Sequence, residues 1–477
     1  MKKIANIDKS KACLIIPVEN QVRELDPKLL LACIAARRGF SVIIGSHREI
    51  DLRISFLPQG LYLNKSMTDR NLKMFRIMDN LGHEILTWDE EALVHLPDET
   101  YYSRRLSPTA IRYNSQLFAW GEDNAELWRR YPDLPPDLPI HVTGNPRSDM
   151  LRPDLRPYYE PEAQQLKNDY GDFILINTNF NHVNAFFPAQ NLFRPVKRAG
   201  DTPQFGKAAV GMSREYAEGL RDHKENLFNA FKQLIPALDK AFPDHKIIVR
   251  PHPTENQRVY KNIAGDCRNV QVTNEGNVVP WLMAAKAVIH NGCTTGVEAY
   301  VMGVPAVSYR PRINEEIDMG FYRLPNLISH QCYDFKELQK ILVKILKGEL
   351  GVANGDERKD LARKYLTAHD GPLACERIVD VIDAKVKKQP KLPKPPLPRK
   401  MLGWGRTNWR RFNRYIRKYL PGKHAPEEFH RHRYPGVTLQ ELKIKISRLQ
   451  QVIGDPSQLQ TDQISNQIFV IGPEIVD

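Results

Sequence analysis

Several features are scarce in this sequence of 477 residues, and each shortage argues against a class of protein. No apolar run approaches the roughly 20 residues that a membrane-spanning helix needs. Residues 1–10 lack the apolar core of a signal peptide. The six cysteines are scattered and form no CxxC pair or other metal-ligand spacing, which argues against a disulfide framework and a zinc module. We therefore expect a cytoplasmic protein with reduced cysteines and no bound metal.

Acidic residues are absent from one segment. The formal net charge is +13, and residues 385–423 carry fourteen Lys and Arg residues but no Asp or Glu. This segment accounts for the excess of positive charge, so the parts before it are near neutral. The distribution argues against a nucleic-acid-binding core and indicates a basic appendage.

Short apolar runs alternate with helical patterns from residue 12 to about 380, which is typical of α/β folds with parallel sheets. We predict two doubly wound, Rossmann-like domains, at 1–165 and 166–385, that face each other across a ligand cleft. The predicted strands cover 12–18, 40–45, 54–57, 84–87, 117–120, 141–143, 172–177, 246–249, 270–273, 287–290 and 306–309. The predicted helices cover 27–38 (capped by Asp26), 65–81, 123–130, 213–242, 297–302 and 335–347.

Two segments have little periodicity. Residues 181–209 are rich in Phe, Pro and Gly, which favours a mobile loop over a cleft. Residues 388–399 alternate proline with basic residues, which predicts a stiff, extended linker.

The C-terminal part divides into a basic segment, 386–425, and an amphipathic helix with a tail, 426–477. Aromatic side chains lie among the arginines of 401–420. Such a segment suits the anionic surface of the inner membrane. The alternative is a helix that docks on the first domain with its arginines in solvent. Nucleic acid is a weaker candidate, because no known binding module accompanies the segment.

The most informative stretch is a strand, a turn of small residues and a helix between 286 and 308. The turn presents backbone N–H groups and the hydroxyls of Thr294 and Thr295 at the start of a helix. Helix N-termini of this kind bind phosphate groups. Glu298, one turn further on, is placed to accept hydrogen bonds from a ribose. The stretch therefore predicts a nucleotide-dependent enzyme.

Two motifs together resemble a known family. Arg250-Pro251-His252-Pro253 is similar to the HP motif, and the run from His290 to Ala299 is similar to the S/T motif, of GT-B glycosyltransferases. The families meant use CMP-activated acidic sugars, as bacterial sialyl-, polysialyl- and Kdo-transferases do. Over residues 10–385 the chain looks like bacterial surface carbohydrate biosynthesis proteins of capsule or O-antigen.

The resemblance implies a GT-B fold whose first domain binds the acceptor and whose second binds the nucleotide sugar. It implies transfer of an acidic sugar, a nonulosonic acid or Kdo, from a CMP-sugar to a lipid-linked or cell-surface glycan, with no cofactor besides this co-substrate. The stereochemical outcome, inverting or retaining, stays open. The residues implicated in nucleotide binding are Arg250, His252, Pro253, Asn291, Gly292, Thr294, Thr295, Gly296 and Glu298. Arg250 has a structural role as its alternative.

These families also place a general base in a carboxylate-rich motif of the first domain. Asp89, Glu90 and Glu91 follow the predicted strand 84–87, and Ala92 stands where the family has glycine. An acceptor hydroxyl needs a carboxylate within hydrogen-bond reach as it attacks. We predict catalysis by these acids, with Glu90 and Glu91 preferred over Asp89. The alternative is an acidic N-terminal cap of a helix.

Further candidates for substrate contacts follow the other strands. They are Glu19, Arg23, His47, Arg147, Asn177 and Asn179. For Arg147, within Gly144–Asp149, the favoured alternative is a proline turn that caps a helix. For the His and Arg residues in loops, the alternative is that they are merely exposed to solvent and bind nothing.

Three other functions compete with glycosyl transfer. One is a glycerophosphotransferase of teichoic-acid type, which shares the GT-B fold and a His-Pro motif. The second is a non-hydrolysing sugar-nucleotide 2-epimerase, and the third is a non-catalytic GT-B scaffold. The threonine-rich turn and the basic tail favour a transferase over an epimerase.

Overall fold

The computed structural model describes residues 13–196, 198, 201–417, 430–431 and 433–474. The chain divides into two compact units. Unit 1 consists of the described residues within Met1–Glu90, Arg105–Tyr158 and Leu366–Asp477, and unit 2 of those within Glu91–Arg104 and Tyr159–Tyr365.

Fourteen strands form two sheets in the described residues. They are β1 Cys13–Val18, β2 Val42–Ser46, β3 Gly60–Asn64, β4 Glu84–Thr87, β5 Asn114–Ala119, β6 Ile140–Val142, β7 Phe173–Thr178, β8 Lys246–Pro251, β9 Val270–Val272, β10 Ala287–His290, β11 Ala306–Tyr309, β12 His330–Cys332, β13 Leu459–Ser465 and β14 Ile468–Pro473. The sheet of unit 1 has the order β13-β14-β2-β1-β3-β4-β5-β6, and that of unit 2 has the order β12-β11-β10-β7-β8-β9.

Helices fill the connections between the strands. They are α1 Gln21–Arg37, α2 His47–Arg53, α3 Leu72–Leu81, α4 Asp98–Arg105, α5 Pro108–Ile111, α6 Glu122–Arg129, α7 Pro146–Asp149, α8 Glu160–Tyr170, α9 Arg214–Ala241, α10 Arg258–Ala264, α11 Val278–Ala284, α12 Thr294–Met302, α13 Glu315–Gly320, α14 Arg323–Leu327, α15 Phe335–Leu346, α16 Asp356–Tyr365, α17 Ala374–Lys388 and α18 Leu397–Arg417. A C-terminal helix, Leu439–Val452, follows.

The paired strands of unit 2, and those of unit 1 from β1 to β6, run parallel, as predicted for a doubly wound fold. In unit 2, α9 packs its apolar stripe against the sheet, and fully buried residues from β7, β8, β10 and β11 complete the core. In unit 1 the C-terminal hairpin of β13 and β14 adds to the sheet, because β14 pairs antiparallel with β2.

The sequence located most of these elements, and three predictions were wrong. Residues 54–57 do not form a strand, since Ile54–Phe56 is a 3-10 helix that continues from α2, and the strand lies later, at β3. Helix α1 begins at Gln21 and not at 27, so Asp26 is not its cap. The buried Asp26 instead accepts hydrogen bonds from Tyr158 and Lys445. The helix predicted at 65–81 begins only at Leu72, after a 3-10 turn.

The segment 181–209 is tied to the body of unit 2 through its described residues. Leu192, Phe193 and Ala209 are buried in an apolar cluster with Leu96 and residues of α9. Ala185 forms a β-bridge with Glu255. The segment therefore has little regular secondary structure, two short 3-10 helices, but packs through buried apolar side chains against the rest of unit 2.

The basic segment docks on unit 1 through α18. This helix packs along α3, and Arg399 forms an ion pair with Asp79 at 2.6 Å. The predicted linker 388–399 is shorter in the structure, because α17 extends to Lys388 and α18 begins at Leu397. No helix in the described residues is both long enough and apolar enough to cross a bilayer.

Candidate functional site

The carboxyl ends of β7 and β10 mark the switch point of the unit 2 sheet. From β7 the chain builds outward through β8 and β9 on one side and through β10, β11 and β12 on the other. Ligands of doubly wound sheets bind at such a point. A hydrogen bond joins the loops that follow β7 and β10 at this point. The Asn291 side-chain oxygen accepts it from the backbone N–H of Asn179 at 2.9 Å. Asn177, the next-to-last residue of β7, is buried beside them, and its amide nitrogen has no hydrogen-bond partner among the described residues.

His290 explains why the turn after β10 has its shape. The imidazole is fully buried, and burial lowers its pKa to about 3, so the ring is neutral. Its Nδ1 accepts a hydrogen bond from the N–H of Gly292 at 3.1 Å, and its Nε2 lies 2.9 Å from Ser329 Oγ. A Cβ on Gly296 would lie 2.4 Å from Nε2, so only glycine allows the first turn of α12 to approach the ring.

The first turn of α12 contains the threonines predicted to bind phosphate. Cys293 is the N-cap and its side chain caps no backbone N–H, so the first N–H groups of the helix keep no side-chain partner from that position. The Thr295 hydroxyl is buried without a hydrogen bond of ordinary geometry to any described residue, although it lies near Cys293. Glu298 is buried one turn later. This end of α12 offers N–H groups and a hydroxyl to an anion.

His252 lies in the loop after β8, and its hydrogen bonds indicate which ring nitrogen carries the proton. Its Nδ1 accepts the backbone N–H of Thr254 at 3.3 Å and lies 2.8 Å from the Thr254 hydroxyl. In the neutral ring the proton is therefore on Nε2, which makes that nitrogen a hydrogen-bond donor. The backbone of His252 is fixed as well, since its N–H bonds to the carbonyl of Thr178 and to Glu255.

The contacts of Arg250 are those of a structural residue. The guanidinium donates to the carbonyl oxygens of Glu275 and Gly276 and stacks over Trp281 at 4.7 Å. Burial lowers its pKa to about 10, which leaves it charged at neutral pH. Arg250 thus supports the loop between β9 and α11. Neighbouring Pro253 continues the turn that contains His252.

Lys224 is one of the residues that the sequence analysis did not identify. It lies on α9, is fully buried, and donates to the carbonyl oxygen of Asn179 at 2.7 Å. Its ammonium lies 4.3 Å from the ring centre of Tyr322. Burial lowers its pKa to about 7, against the attraction of Glu255, Cys293 and Asp318. A signal was present in the sequence, because His223 and Lys224 interrupt the apolar stripe of α9.

Glu255 was missed too and has a supporting role. Its carboxylate accepts hydrogen bonds from the hydroxyls of Thr178 and Tyr260 and from the N–H of His252. Burial raises its pKa, and these bonds oppose the rise. His182, half-buried nearby, has a pKa well below its usual range because of desolvation and the charges of Lys224 and Arg104. Unit 2 therefore brings together one lysine, two histidines and the start of α12.

In unit 1 the acids after β4 lie in a turn, and no helix begins before Asp98, so they cap no helix. Asp89 is buried in a two-point ion pair with Arg105. Glu90 is also buried, accepts a hydrogen bond from the Trp88 indole at 2.9 Å, and has Lys28 3.8 Å away. Its Oε2 has no hydrogen bond to any residue in the described ranges. Glu91 is exposed and belongs to unit 2.

Ion pairs surround Glu90. Arg147 lies 3.9 Å from its carboxylate and over the Trp120 ring, and Arg23 donates to its carbonyl oxygen at 3.4 Å. Lys28 pairs with Glu24 at 2.8 Å. Close by, Asn145 caps α7, and the carboxylate of Asp149 accepts the N–H groups of Ala374 and Cys375 at 2.8 Å. The Gly144–Asp149 motif therefore holds α17 in place, with Arg147 directed at Glu90.

A cavity of about 300 Å³ lies at the carboxyl ends of β1 and β2 in unit 1. Glu19 and His47 both line it, together with Arg48, Arg433 and Tyr434. Burial opposes the charge of Glu19, but Lys65 and Arg433 outweigh it and lower the pKa of Glu19 to about 2. His47 is 3.4 Å from Asp51. The cavity thus combines the carboxylates of Glu19 and Glu49 with an excess of basic side chains.

Across the described part of the chain, no three His, Cys, Asp or Glu side chains cluster in a way that would hold a metal ion. The six cysteines are free thiols.

Comparison with solved structures identifies the fold. The wall teichoic acid polymerase TagF is 11% identical, with a TM-score of 0.51 over 80% of this chain and 91% of that one. The S. aureus MnaA–UDP co-structure is 14% identical, with a TM-score of 0.44 over 81% and 100%. The Methanocaldococcus jannaschii UDP-GlcNAc 2-epimerase in complex with UDP-GlcNAc and UDP is 13% identical, with a TM-score of 0.42 over 78% and 99%.

The similarity to TagF, together with two parallel sheets, confirms the GT-B prediction. No family model matches the sequence. No curated protein matches it either.

Proposed function

We propose that this chain is a transferase of bacterial surface-glycan assembly that releases cytidine monophosphate (CMP) from its donor. The observation that carries the proposal is the set of anion-binding groups at the switch point of unit 2. Among the described residues, no carboxylate is hydrogen-bonded to the buried ammonium of Lys224, which lies near Cys293 at the start of α12. The charges of both Lys224 and His252 act on His182. A buried lysine in this state favours a ligand that supplies negative charge.

The chemistry of the leaving group fits these residues. A departing CMP gains negative charge on its phosphate as the bond to the transferred group breaks. A protonated Lys224, the Nε2–H of His252 and the N–H groups of α12 stabilise that charge without a metal ion. The hydroxyls of Thr294 and Thr295 add donors at the same helix end.

Two classes of donor leave CMP behind. In a CMP-activated acidic sugar, the acceptor oxygen attacks the anomeric carbon and the bond from carbon to phosphate oxygen breaks. In a CDP-activated polyol, the acceptor oxygen attacks the outer phosphorus and the bond between the phosphates breaks. The sequence motifs favour the first class. The fold shared with a teichoic acid polymerase favours the second, and the cationic groups of unit 2 suit a donor with two phosphates.

Unit 1 supplies the acceptor side of this proposal. Glu90 takes the proton of the attacking hydroxyl, because Asp89 is bound to Arg105 and Glu91 is exposed. Lys28 and Arg147, 3.8 and 3.9 Å from its carboxylate, hold Glu90 in position. The basic cavity that contains Glu19 and His47 suits an acceptor with an anionic group.

Ligand-induced stabilisation and product analysis test the proposal on the full chain. CMP at 100 times its dissociation constant should stabilise the fold by about 2.7 kcal/mol, while UMP should not, and His252→Ala should remove the effect. Incubation with CDP-glycerol or a CMP-activated acidic sugar should yield CMP, and the productive donor identifies the class. Conversion of UDP-GlcNAc to its 2-epimer, or the absence of any CMP effect, would overturn the proposal.

A further inference from the structure

Helix α18 has two distinct faces, and only one contacts unit 1. Gly403, Thr407 and Arg410 lie one and two turns apart and point toward α3. A Cβ on Gly403 would lie 2.9 Å from the Leu81 side chain, so the two helices touch backbone to side chain. Arg411 stacks over Phe56 at 4.9 Å. Small residues thus fix the helix on the domain.

The outward face of α18 is apolar. Eight of the sixteen large hydrophobic side chains exposed on the described chain belong to this one helix. They are Leu397 (70% exposed), Met401 (64%), Leu402 (47%), Trp404 (52%), Trp409 (62%), Phe412 (53%), Tyr415 (61%) and Ile416 (37%). The other eight are scattered over both units, so α18 carries the one concentrated group among the described residues.

Helical geometry gathers these side chains into one band. At about 100° per residue they occupy an arc of about 160° that lies opposite Gly403 and Thr407. Lys400 and Arg411 border the arc on one side, and Arg406 borders it on the other. No acidic residue occurs anywhere between 385 and 423.

We infer that α18 is a membrane-surface helix, which lies in the interface of an anionic bilayer with its aromatic band in the lipid and its basic borders at the headgroups. A contiguous apolar face of this size is unusual on a soluble surface. Trp and Tyr prefer the interface between lipid and water, and Lys and Arg borders bind anionic lipid. The positive charge of the segment is complementary to an anionic membrane surface, whereas a purely apolar partner would leave that charge without a counterpart. This inference does not depend on the proposed reaction.

Vesicle binding of the full-length protein tests the inference. The protein should bind phosphatidylcholine vesicles that contain phosphatidylglycerol and should bind vesicles of pure phosphatidylcholine much less. Trp404→Ser with Trp409→Ser should weaken binding roughly a hundredfold, because two interfacial anchors are lost. Lys400→Gln with Arg406→Gln should weaken it at least about tenfold and reduce its salt dependence.

Matched variants elsewhere serve as controls. Ile444→Ser with Val343→Ser removes two exposed apolar side chains, and Lys359→Gln with Arg363→Gln removes two exposed charges, so binding should stay unchanged in both. Brominated lipids should quench the tryptophan fluorescence of the parent protein but quench that of the double tryptophan variant far less. Equal binding of band and control variants would overturn the inference. The inference would also be overturned if sedimentation velocity showed a dimer of the parent protein that the double tryptophan variant no longer forms, since the band would then bind a second copy.

Discussion

Charged side chains are buried at the carboxyl ends of the strands in both sheets, but they are paired with opposite charges to very different extents. At the carboxyl edge of the unit 1 sheet, buried charges pair with one another. Glu24 lies 2.8 Å from Lys28 and 3.4 Å from Lys65, and Asp89 is held by Arg105. Burial opposes ionisation of Glu24, but the two lysines outweigh it and bring its pKa well below the usual range. At the carboxyl ends of the unit 2 strands, burial of Lys224 outweighs the attraction of Glu255, Cys293 and Asp318 and lowers its pKa to about 7.

The difference suggests that the charges of unit 1 orient side chains, while the buried donors of unit 2 bind an anionic ligand. A network of paired charges is satisfied within the protein, so it orients side chains but has little to gain from a ligand. Uncompensated donors are costly to bury and become favourable once an anion arrives. The comparison therefore predicts that mutations in unit 1 affect positioning and stability, while mutations in unit 2 affect nucleotide affinity.

The largest expected effect is on turnover. Glu90→Gln keeps the size and the Trp88 hydrogen bond of the side chain but removes its basicity. We expect kcat to fall about 10²–10⁴-fold, with the stabilisation by CMP retained. Steady-state release of CMP measures the change, and Glu91→Gln is the matched control with parental turnover. A loss in the Glu91 variant alone would move the base to that residue.

Lys28→Met tests the paired network of unit 1. It removes the cation nearest to Glu24 and Glu90, which then keep Lys65 and Arg147 as cationic neighbours at 3.4 and 3.9 Å. Breaking such a buried pair costs about 3–5 kcal/mol. Urea denaturation measures the loss. Lys224→Met, equally buried, should leave stability unchanged or raise it, because no ion pair is broken. Equal destabilisation by both substitutions would show that the two edges do not differ.

Gly296→Ala tests the fit of His290 under the first turn of α12. The added methyl group would overlap the imidazole, and overpacking of this kind costs about 1–3 kcal/mol. CMP affinity should fall as well, because the helix start shifts. Gly219→Ala in α9 is the control: its methyl group meets open space, so stability should rise by about 0.4–1 kcal/mol.

The smallest effect is the pH dependence that Lys224 confers. Its pKa is about 7 in the folded chain, below the ordinary value of 10.5, so between these values the unfolded chain binds more protons and stability rises with pH. A bound phosphate restores the proton, so CMP affinity should fall up to about tenfold per pH unit above pH 7. Calorimetric titration across pH 6.5–9 measures the slope. Lys224→Met should flatten it, and a slope that persists in this variant would assign the proton to another group.

The sequence was most informative where the signal is local. Strands β10 and β11 have the predicted bounds, because each is a continuous apolar run between turn residues. The same criterion failed at 54–57, where an apolar run belongs to a 3-10 helix. The last strand pair was not predicted, since β13 is largely polar and β14 pairs with β2, more than 400 residues away in the chain.

The candidate site shows the same division. Asn291, Thr294 and Thr295 could be found because a strand–turn–helix motif is contiguous. The sequence marked Lys224 only as a polar interruption of the apolar stripe of α9. Its role could not be predicted, because its environment depends on loops from β7 and β10 that reach it only in the folded chain. Three adjacent acids in the sequence could not be ranked either. The turn after β4 decides that Asp89 and Glu90 point inward and Glu91 outward.

The hairpin of β13 and β14 has a consequence for biosynthesis. The strand that completes the β2 side of the first sheet is translated last of all the strands described, after the whole of unit 2. Until residue 473 leaves the ribosome, β2 has an open edge that invites pairing with other chains. The sheet of unit 1 therefore cannot be completed before the hairpin has been synthesised, and this edge is open to aggregation until then.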